Sequence, residues 1–201
     1  IRDRVKVDPF DPAFSNPTKV IGRYMTKEEA EAEEAKGNYV VEEPEGYRRI
    51  IAAPKPMDIY EIDAVNALLD AHQIVIAAGG GGIPVLEQRT RLEGASAIIE
   101  KDYAAARLAE LTEADTLLFL TVYDKLTVNA GKPDECSFEN VTVADLKPYA
   151  TTGDFGPITT LPKVNAAIEF VEAGTGRKAV IANLEHAKDA LLGRCGTTIT
   201  R

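Results

Sequence analysis

From residue 58 onward, short apolar runs alternate with segments whose apolar residues recur at helical spacing. Four runs are predicted as strands: IVIAA (74–78), TLLFLTV (116–122), KAVIANL (178–184) and the short TTIT (197–200). Continuous apolar strands separated by amphipathic helices are typical of a mainly parallel sheet sandwiched by helices. Because ligands of such sheets bind at the carboxyl ends of the strands, the sequence predicts an α/β fold with its site at that edge.

Four helices are predicted between these strands, and residues 123–160 are predicted to be a long irregular stretch. Asp58 is expected to be the N-cap of the first helix and Asp102 the N-cap of the second, because aspartate accepts hydrogen bonds from the first turn. The four helices are predicted at MDIYEIDAVNALLDAH, YAAARLAEL, LPKVNAAIEFVEAG and EHAKDALLG. In the first, one face carries Ile59, Ile62, Val65, Leu68 and Leu69. In the third, the residues expected to face inward are Leu161, Val164, Ala167, Ile168 and Val171.

The first fifty residues differ from the rest of the chain. They are rich in proline and contain the acidic segment TKEEAEAEEAKG, in which Thr26 and Glu29 are spaced as a capping box and Gly37 is placed as a stop. Alanine supplies the only apolar face of this predicted helix, so we expect it to be solvated on a protruding element. We therefore predict a small α+β subdomain at residues 1–50 and an α/β lobe at residues 51–201.

Composition excludes several classes of protein. No run approaches the roughly 18 to 20 apolar residues that a membrane helix needs, and the first residues lack the apolar region of an export signal, so we expect a cytoplasmic protein. The formal net charge of −9 argues against nucleic-acid binding. Two cysteines and two histidines lack the spacing of a metal or catalytic site and are predicted to be structural: Cys136, Cys195, His72 and His186.

Four consecutive glycines, Gly79, Gly80, Gly81 and Gly82, follow the first of the apolar runs. A P-loop requires Gly-Lys-Ser or Gly-Lys-Thr, which the chain lacks, and the dinucleotide fingerprint requires a third glycine where Pro84 stands. What remains is a nest of main-chain N–H groups that an anion can approach closely. A tight turn or bulge is the alternative, and it would explain one or two of the glycines.

Two lysines stand at predicted helix starts, where free N–H groups and the helix dipole attract anions. Lys101 precedes Asp102, and Lys163 follows Pro162 in a first turn that Thr159 or Thr160 can cap. For Lys101 a solvated side chain beside a simple aspartate cap is an equal alternative. A lysine in a first turn is electrostatically misplaced unless an anion is present, which favours an anion beside Lys163.

Seven separated blocks of this sequence resemble, in order and spacing, those of carbamate kinases of the amino acid kinase superfamily. The resemblance covers essentially the whole chain but only the latter part of the family's sequence. The family's N-terminal lobe, with Gly-Gly-Asn-Ala and Gly-Asn-Gly-Pro-Gln loops, is expected from another segment or a partner chain. The blocks are VDPFDPAFSNPTKVIGRYMTKEEA, YRRIIAAPKPMDIYE, GGGGIPVL, IIEKDYAAARLAEL, LTVYDKLTVNAGKPDE, LPKVNAAIEFVE and ALLGRCGTTI.

The resemblance implies roles for individual residues. Lys19 would reach over the substrate from a lid, and Gly79 to Gly82 would face the substrate and the transferred phosphate. Lys101, Asp102 and Lys163 would hold the nucleotide phosphates. The adenosine pocket would involve Thr121, Tyr123, Asp124, Asn129 and Gly131. The implied activity is reversible phosphoryl transfer between MgATP and carbamate, with Mg²⁺ carried by ATP or ADP, in a homodimer that runs toward ATP in arginine fermentation.

Three departures from the family pattern leave other functions open. Ile158-Thr159-Thr160 stands where the family has Gly-Ser-Met, Val122 replaces a Gly or Asp, and Pro44 to Tyr47 replaces Gly-Arg-Gly-Trp. One alternative is a kinase of the same fold with another acceptor, such as acetylglutamate, aspartate or a nucleoside monophosphate. The other is a catalytically silent nucleotide-binding or scaffolding protein.

Overall fold

A computed structural model describes residues 1–157 and 159–201 of the chain, which contacts divide into two units, Ile1–Ala104 and Ala105–Arg201. Both units combine strands and helices, so the predicted α/β class is confirmed. The predicted subdomain boundary at residue 50 stays a prediction. The elements of the first unit are β1 (Arg4–Val7), β2 (Lys19–Met25), α1 (Lys27–Ala35), β3 (Tyr39–Glu43), β4 (Gly46–Ile51), β5 (Pro56–Ile59), α2 (Ile62–Asp70), β6 (Ile83–Gln88), β7 (Arg91–Gly94) and the start of α3 (Lys101–Leu111).

A four-stranded sheet in the order β5-β1-β6-β7 holds the core of the first unit. β1 runs parallel to β6 and antiparallel to β5, and β6 and β7 form an antiparallel pair. Val5 and Val7 alternate on the buried face of β1, as the two-residue period of a strand requires. β1 is therefore central, and it passes beside the start of β6, directly after the four glycines.

A three-stranded antiparallel sheet in the order β2-β4-β3 packs with α1. The predicted capping box at the start of α1 is confirmed, because the Thr26 side chain accepts from the Glu29 N–H and the Glu29 carboxylate accepts from the Thr26 N–H. Gly37 follows the helix with φ +84°, a left-handed conformation that glycine adopts without strain. The helix and this sheet lie within residues 19–51.

The predicted N-cap at Asp58 is wrong, because Asp58 lies in β5 and pairs with Lys6 of β1. α2 begins only at Ile62, after Glu61, whose carboxylate accepts from the main-chain N–H and the side chain of Arg4. The expected apolar face is also partly wrong, since Val65 is buried while Leu68 and Leu69 are each 40% exposed. Pairing with a strand distant in sequence overrides the local helical pattern here.

The predicted strand at residues 74–78 is wrong as well, since no strand is assigned there. Apolar composition predicts burial, yet Ile74 is 98% exposed and Ile76 82% exposed. A strand requires a neighbouring strand to which it is hydrogen-bonded, and among the described residues this segment pairs with none. A run with the composition of a buried strand therefore lies on the surface of the first unit.

The second unit is built on a four-stranded sheet in the order β11-β13-β12-β8. The pairs of β12 with β8 and of β11 with β13 are parallel, and β12 with β13 is antiparallel, so the sheet is mixed with parallel pairs in the majority. Its elements are β8 (Thr116–Thr121), β9 (Leu126–Val128), β10 (Cys136–Phe138), β11 (Asn140–Thr142), α4 (Val143–Thr152), α5 (Thr160–Glu172), β12 (Lys178–Asn183), α6 (Ala187–Leu191) and β13 (Thr197–Thr200).

α5 is the most deeply buried helix of the second unit. Four of the five residues expected to face inward are buried, whereas Leu161 is 37% exposed at the first turn. The stretch 123–160, predicted to be irregular, instead contains three short strands and α4, which Thr142 caps through its hydroxyl. Short strands of three residues carry too little periodicity to be read from sequence.

Within the residues that the structure describes, no helix is long and apolar enough to cross a membrane. Cys136 and Cys195 are both free thiols and both partly buried.

We predict that Glu29→Gln makes the chain less sensitive to acid. Hydrogen bonds from the Arg23 guanidinium and the Thr26 N–H lower the pKa of Glu29 from 4.5 to about 2. A carboxylate with a lowered folded-state pKa stabilises the fold above pH 4.5, and this contribution is lost as the pH falls toward 2. Urea unfolding midpoints at pH 5 and pH 2.5 measure the loss, which we expect to be smaller in the variant.

The matched control is Glu31→Gln, which removes a charge from the same helix without touching Arg23 or Thr26. We expect it to lose as much stability on acidification as the unsubstituted chain. An acid response of Glu29→Gln equal to that of Glu31→Gln would show that the capping box and its arginine contribute nothing to acid stability.

Candidate functional site

Two of the four glycines are required by packing within the first unit. Gly81 has φ +129°, and a Cβ there would overlap the carbonyl oxygen of Ile99. Gly82 has φ +85°, and a Cβ there would lie 2.5 Å from Cγ2 of Val5 and 3.0 Å from the carbonyl oxygen of Asp3. The tight-turn alternative thus accounts for these two positions, because no other residue fits both the conformation and the space.

Gly79 and Gly80 have a different environment. A Cβ at either position would meet nothing within 4 Å, so packing does not demand glycine there. The N–H of Gly79 donates to Ala77 O at 2.7 Å and that of Gly81 to Ala78 O at 2.8 Å. Across residues 1–157 and 159–201, the N–H groups of Gly80 and Gly82 have no hydrogen-bond partner. The loop therefore has two N–H groups without a partner, of which that of Gly80 belongs to a residue bordered by open space, and the predicted nest stays a prediction.

A buried carboxylate holds this loop, and the sequence analysis missed it. Asp3 is 2% exposed; its Oδ2 accepts from the Ala78 N–H, and its main-chain oxygen accepts from the Ile83 N–H at 2.7 Å. Asp3 therefore fixes both ends of the glycine run. The sequence did contain a signal for its burial. Asp3 lies two residues before Val5 and four before Val7, so in an extended chain it shares their buried face.

The predicted lysines of the first unit lie near the same loop. Lys19, the first residue of β2, forms an ion pair with Glu100, and the side chains are 37% and 17% exposed. Glu100 follows Ile99, whose carbonyl packs on Gly81, and it precedes Lys101. The segment 99–102 therefore connects the glycine loop, Lys19 and Lys101 within one short stretch of chain.

The expectation that Asp102 caps this helix is wrong in detail, because α3 begins at Lys101 and Asp102 lies inside its first turn. Asp102 is 5% exposed whereas Lys101 is exposed to solvent. Burial of the acid and exposure of the base place the positive charge on the accessible side of the helix start. An accessible positive charge therefore stands at the start of α3, where anions are favoured.

In the second unit the ends of the parallel strands β8 and β12 lie side by side, with Thr121 opposite Asn183. The Thr121 hydroxyl lies 3.1 Å from Ala182 O and 2.9 Å from Tyr123 O, so it can donate to either. The Asn183 amide donates to Asp124 Oδ1 at 2.9 Å. The turn after β8, predicted as part of a nucleotide pocket, is therefore fixed to the end of β12.

The other predicted pocket residues, Asn129 and Gly131, belong to a closely hydrogen-bonded loop. The Asn129 side chain accepts from the Asp154 N–H at 3.0 Å and donates to Asp134 at 2.7 Å, and the Gly131 N–H donates to the Glu135 carboxylate at 2.6 Å. The hydrogen bond and charge of Asp154 raise the pKa of Lys132, whose ammonium in turn lowers the pKa of Asp154. These contacts hold the loop in one shape.

A cavity of about 400 Å³ opens at the carboxyl ends of β8 and β12, where the sequence rule for parallel sheets expects a ligand. Of the predicted residues, Asp124 lines it. None of the others was assigned to a site from sequence, and they lie at the end of β12, in α6 and in the neighbouring loops. These are Lys125, Asn183, His186, Asp189, Arg194, Cys195 and Gly196.

Cys195 and His186 line this cavity without forming a catalytic pair. The Cys195 thiol lies 3.6 Å from the main-chain oxygen of His186, so its neighbour is a carbonyl and not the imidazole. Across the described part of the chain, no group of three or more His, Cys, Asp or Glu side chains is arranged to hold a metal ion.

The start of α5 combines a lysine with a buried hydroxyl. Lys163 Nζ donates to Thr159 O at 3.3 Å, which directs its ammonium toward the N-terminal end of the helix. Thr160 is 2% exposed, and its Oγ1 has no hydrogen-bond partner among the described residues. Thr159 occupies the N-cap position without a side-chain cap, and Ile158 lies outside the described residues.

Comparison with known proteins gives one family for this sequence. Residues 27–183 match the model of the amino acid kinase family. A carbamate kinase of Clostridium perfringens is 47% identical over 203 residues, which cover 100% of this chain and 65% of the relative. A carbamate kinase-like protein of Escherichia coli is 46% identical, with 98% of this chain and 64% of the relative covered. The chain thus spans just under two thirds of the length of these curated relatives.

A solved structure of carbamate kinase from Giardia lamblia bound to AMP-PNP matches the fold with a TM-score of 0.90. It is 36% identical, and the match covers 100% of this chain and 64% of that one. The fold described above is therefore similar to that of a carbamate kinase over the whole length of the chain.

We predict that alanine substitutions separate the packing glycines from the open ones. Gly81→Ala should destabilise the chain by about 2 kcal/mol or more, since a Cβ at this left-handed position overlaps Ile99 O. Gly80→Ala should stay within about 0.5 kcal/mol of the unsubstituted chain, because its Cβ would enter open space. Urea unfolding measures both free energies. Equal losses at the two positions would contradict the division.

Proposed function

Since the chain belongs to the amino acid kinase family, we propose that it carries most of the machinery of a carbamate kinase, which transfers a phosphoryl group reversibly between MgATP and carbamate to give ADP and carbamoyl phosphate. The observation that carries the proposal is the 47% identity to a carbamate kinase across the whole chain. Because that relative is longer, the proposal concerns the whole protein of which these 201 residues form the matched part.

Phosphoryl transfer asks a protein mainly for in-line positioning and for positive charge where the phosphoryl oxygens develop charge. The open N–H groups of Gly80 and Gly82 suit this role, because main-chain donors are fixed before the reaction and need no reorganisation. We assign them to the oxygens of the transferred group. Packing of Gly81 on Ile99 and the bonds to Asp3 would keep the two donors in place.

The flexible side chains of Lys19 and Lys101 would supply further positive charge in the first unit. Lys19 is paired with Glu100, so part of its charge is already compensated, and an anionic substrate would share the ammonium with this carboxylate. Lys101 is exposed at the start of α3 and adds a full charge to the helix terminus. We propose that Lys19 contacts the carbamoyl phosphate and that Lys101, with Asp102 beside it, contacts the nucleotide phosphates.

The second unit would bind the nucleotide. We propose that Thr121, Tyr123 and Asp124 after β8 and the loop with Asn129 and Gly131 form the adenosine pocket. At the start of α5, Lys163 would meet a phosphate, as donors at a helix N-terminus do. The similarity to a carbamate kinase bound to AMP-PNP supports nucleotide binding by this fold.

Carbamate is already an anion, so the transfer requires no strong general base. Mg²⁺ enters the proposal as part of the MgATP substrate, because proteins bind it through nucleotide phosphates with one or two carboxylates. The ion would offset negative charge on the nucleotide phosphates. The residues of the chain would bind and orient the two substrates and exclude water from between them.

Of the alternatives, transfer to another acceptor receives less support, because the curated relatives quoted above are named for carbamate. A catalytically silent protein is favoured by Ile158-Thr159-Thr160, which stands in the sequence where the family has Gly-Ser-Met, and by the part of the family's sequence that these residues do not match. We further propose a homodimer in the cytoplasm that serves arginine metabolism, on the strength of the resemblance alone.

We predict ATP formation from MgADP and carbamoyl phosphate when this chain is produced together with the part of the Clostridium perfringens relative that lies outside the match. Lys101→Ala and Lys163→Ala should each lower kcat about 100-fold, since each removes one ammonium that we assign to the transferring phosphates. Lys188→Ala, which removes an exposed charge from α6, should leave kcat unchanged.

Calorimetric binding of MgADP separates the possible failures. Nucleotide binding without any ATP formation would contradict the kinase proposal and support the silent protein. Unchanged kcat in Lys101→Ala or Lys163→Ala would contradict the roles assigned to those lysines, while the activity itself would stand.

A further inference from the structure

The linker that follows α4, residues 153–157, is a segment of the second unit to which the proposed function assigns no role. It leads toward α5, which carries Lys163 in its first turn. It also contacts the hairpin loop, residues 129–135, which joins β9 to β10 and contains Asn129 and Gly131. The linker therefore connects two parts of the proposed nucleotide site, one for adenosine and one for phosphate.

The hairpin loop is bound to the linker at Asp154. The main-chain N–H of Asn129 donates to Asp154 O at 2.7 Å, and the Asp154 N–H donates to Asn129 Oδ1 at 3.0 Å. The Lys132 ammonium donates to Asp154 Oδ2 at 2.9 Å. Directly before Asp154, Gly153 passes so close to Val128 that a Cβ would lie 2.5 Å from its Cγ2. Close packing and three hydrogen bonds thus fix the linker against the end of β9 and the loop that follows it.

The same carboxylate also orders the linker on its way to α5. Asp154 Oδ1 accepts from the Gly156 N–H at 2.8 Å, and Phe155 between them is buried. The next residue, Pro157, accepts from the Thr160 N–H through its main-chain oxygen at 2.8 Å. The two carboxylate oxygens of Asp154 therefore bind the hairpin loop on one side and the linker that leads to α5 on the other.

We propose that Asp154 is a positioning residue of the nucleotide site, which fixes the spacing between the adenosine loop at residues 129–131 and the phosphate-binding start of α5. This inference rests on the proposed function, because it assumes that both parts bind one nucleotide. ADP carries its base and its phosphates on one framework, so both parts contribute to affinity together only when their spacing matches the ligand.

The stability of the fold depends little on the side chain of Asp154. The side chains of Lys132 and Asp154 are 51% and 54% exposed, and exposed ion pairs contribute little to the free energy of unfolding. The main-chain bonds between Asn129 and Asp154 do not require the carboxylate. Loss of the carboxylate is therefore expected to change nucleotide affinity while the chain stays folded.

A purely structural role of these contacts is the competing explanation. It predicts that loss of the carboxylate loosens the second unit and weakens every ligand of this unit alike. A positioning role predicts a loss only for a ligand that spans both parts of the site, as MgADP does. Adenosine and magnesium pyrophosphate each fill one part, so their binding separates the two explanations.

The test measures dissociation constants of these three ligands in the co-produced protein of the ATP assay, by calorimetry for MgADP and by NMR titration for the two fragments. Asp154→Ala should raise the constant for MgADP about tenfold and leave those for adenosine and pyrophosphate unchanged. Asp154→Asn, which retains an oxygen for the Gly156 N–H and loses the charge, should raise it about threefold. Glu172→Gln is the matched control and should change none of the constants, since it breaks the pair of Glu172 with Lys147, whose side chains are 42% and 51% exposed.

A double substitution tests whether the charge of Asp154 acts through Lys132. In a Lys132→Ala background, Asp154→Asn should not change the constant for MgADP further, because its cationic partner is already absent. Urea midpoints of all variants should stay close to that of the unsubstituted protein.

Two results would overturn the positioning role while nucleotide binding itself stands. One is an equal loss of affinity for all three ligands in Asp154→Ala, and the other is an unchanged constant for MgADP in that variant. Absence of MgADP binding by the unsubstituted protein would instead overturn the proposed nucleotide site and this inference with it.

Discussion

The approach of Gly81 to the carbonyl oxygen of Ile99 is the contact on which the candidate site of the first unit depends. It packs the glycine loop onto the residues that lead into α3, and no side chain fits between them. Ile99 is followed by Glu100, which holds Lys19, and then by Lys101. Ile99, Glu100 and Lys101 are consecutive, so the contact of Gly81, the partner of Lys19 and the first residue of α3 lie within three residues of chain.

The four glycines answer two different physical demands. Gly81 and Gly82 are required because chain passes close to chain, and Gly79 and Gly80 border open space. Hydrogen bonds divide the loop differently, since the N–H groups of Gly79 and Gly81 are used internally while those of Gly80 and Gly82 have no partner in the described chain. Close packing thus explains glycine at two positions, and the two unpaired N–H groups are the ones that we propose to bind an anion.

Local patterns were sufficient for elements stabilised by their own residues. The capping box of Thr26 and Glu29, the strands β8 and β12 and the buried face of α5 were all predicted from sequence and are confirmed. Errors occurred where the structure of a segment depends on pairing with residues that are distant in sequence. Asp58 was predicted to cap a helix, but it lies in β5 and pairs with β1. Residues 74–78 were predicted to be a buried strand, but among the described residues they pair with no strand.

The same distinction applies to the site. Gly79 to Gly82 and Lys101 could be proposed as candidates because glycine runs and helix starts have sequence signatures, whereas Asp3 accepts from main-chain N–H groups 75 or more residues away. Sequence could not show which two glycine N–H groups lack a partner, since that depends on the hydrogen bonds that Gly79 and Gly81 donate to the carbonyl oxygens of Ala77 and Ala78. It also could not show that Glu100 would be the partner of Lys19.

The most direct test of the account is an NMR titration of the ¹⁵N-labelled chain with inorganic phosphate, observing the four glycine amides. The account predicts saturable shifts at Gly80 and Gly82, whose N–H groups are open, and smaller shifts at Gly79 and Gly81, whose N–H groups are bonded to Ala77 and Ala78. Unmoved amides at Gly80 and Gly82, at phosphate concentrations that shift amides elsewhere in the chain, would contradict the assignment of this loop as the phosphate site.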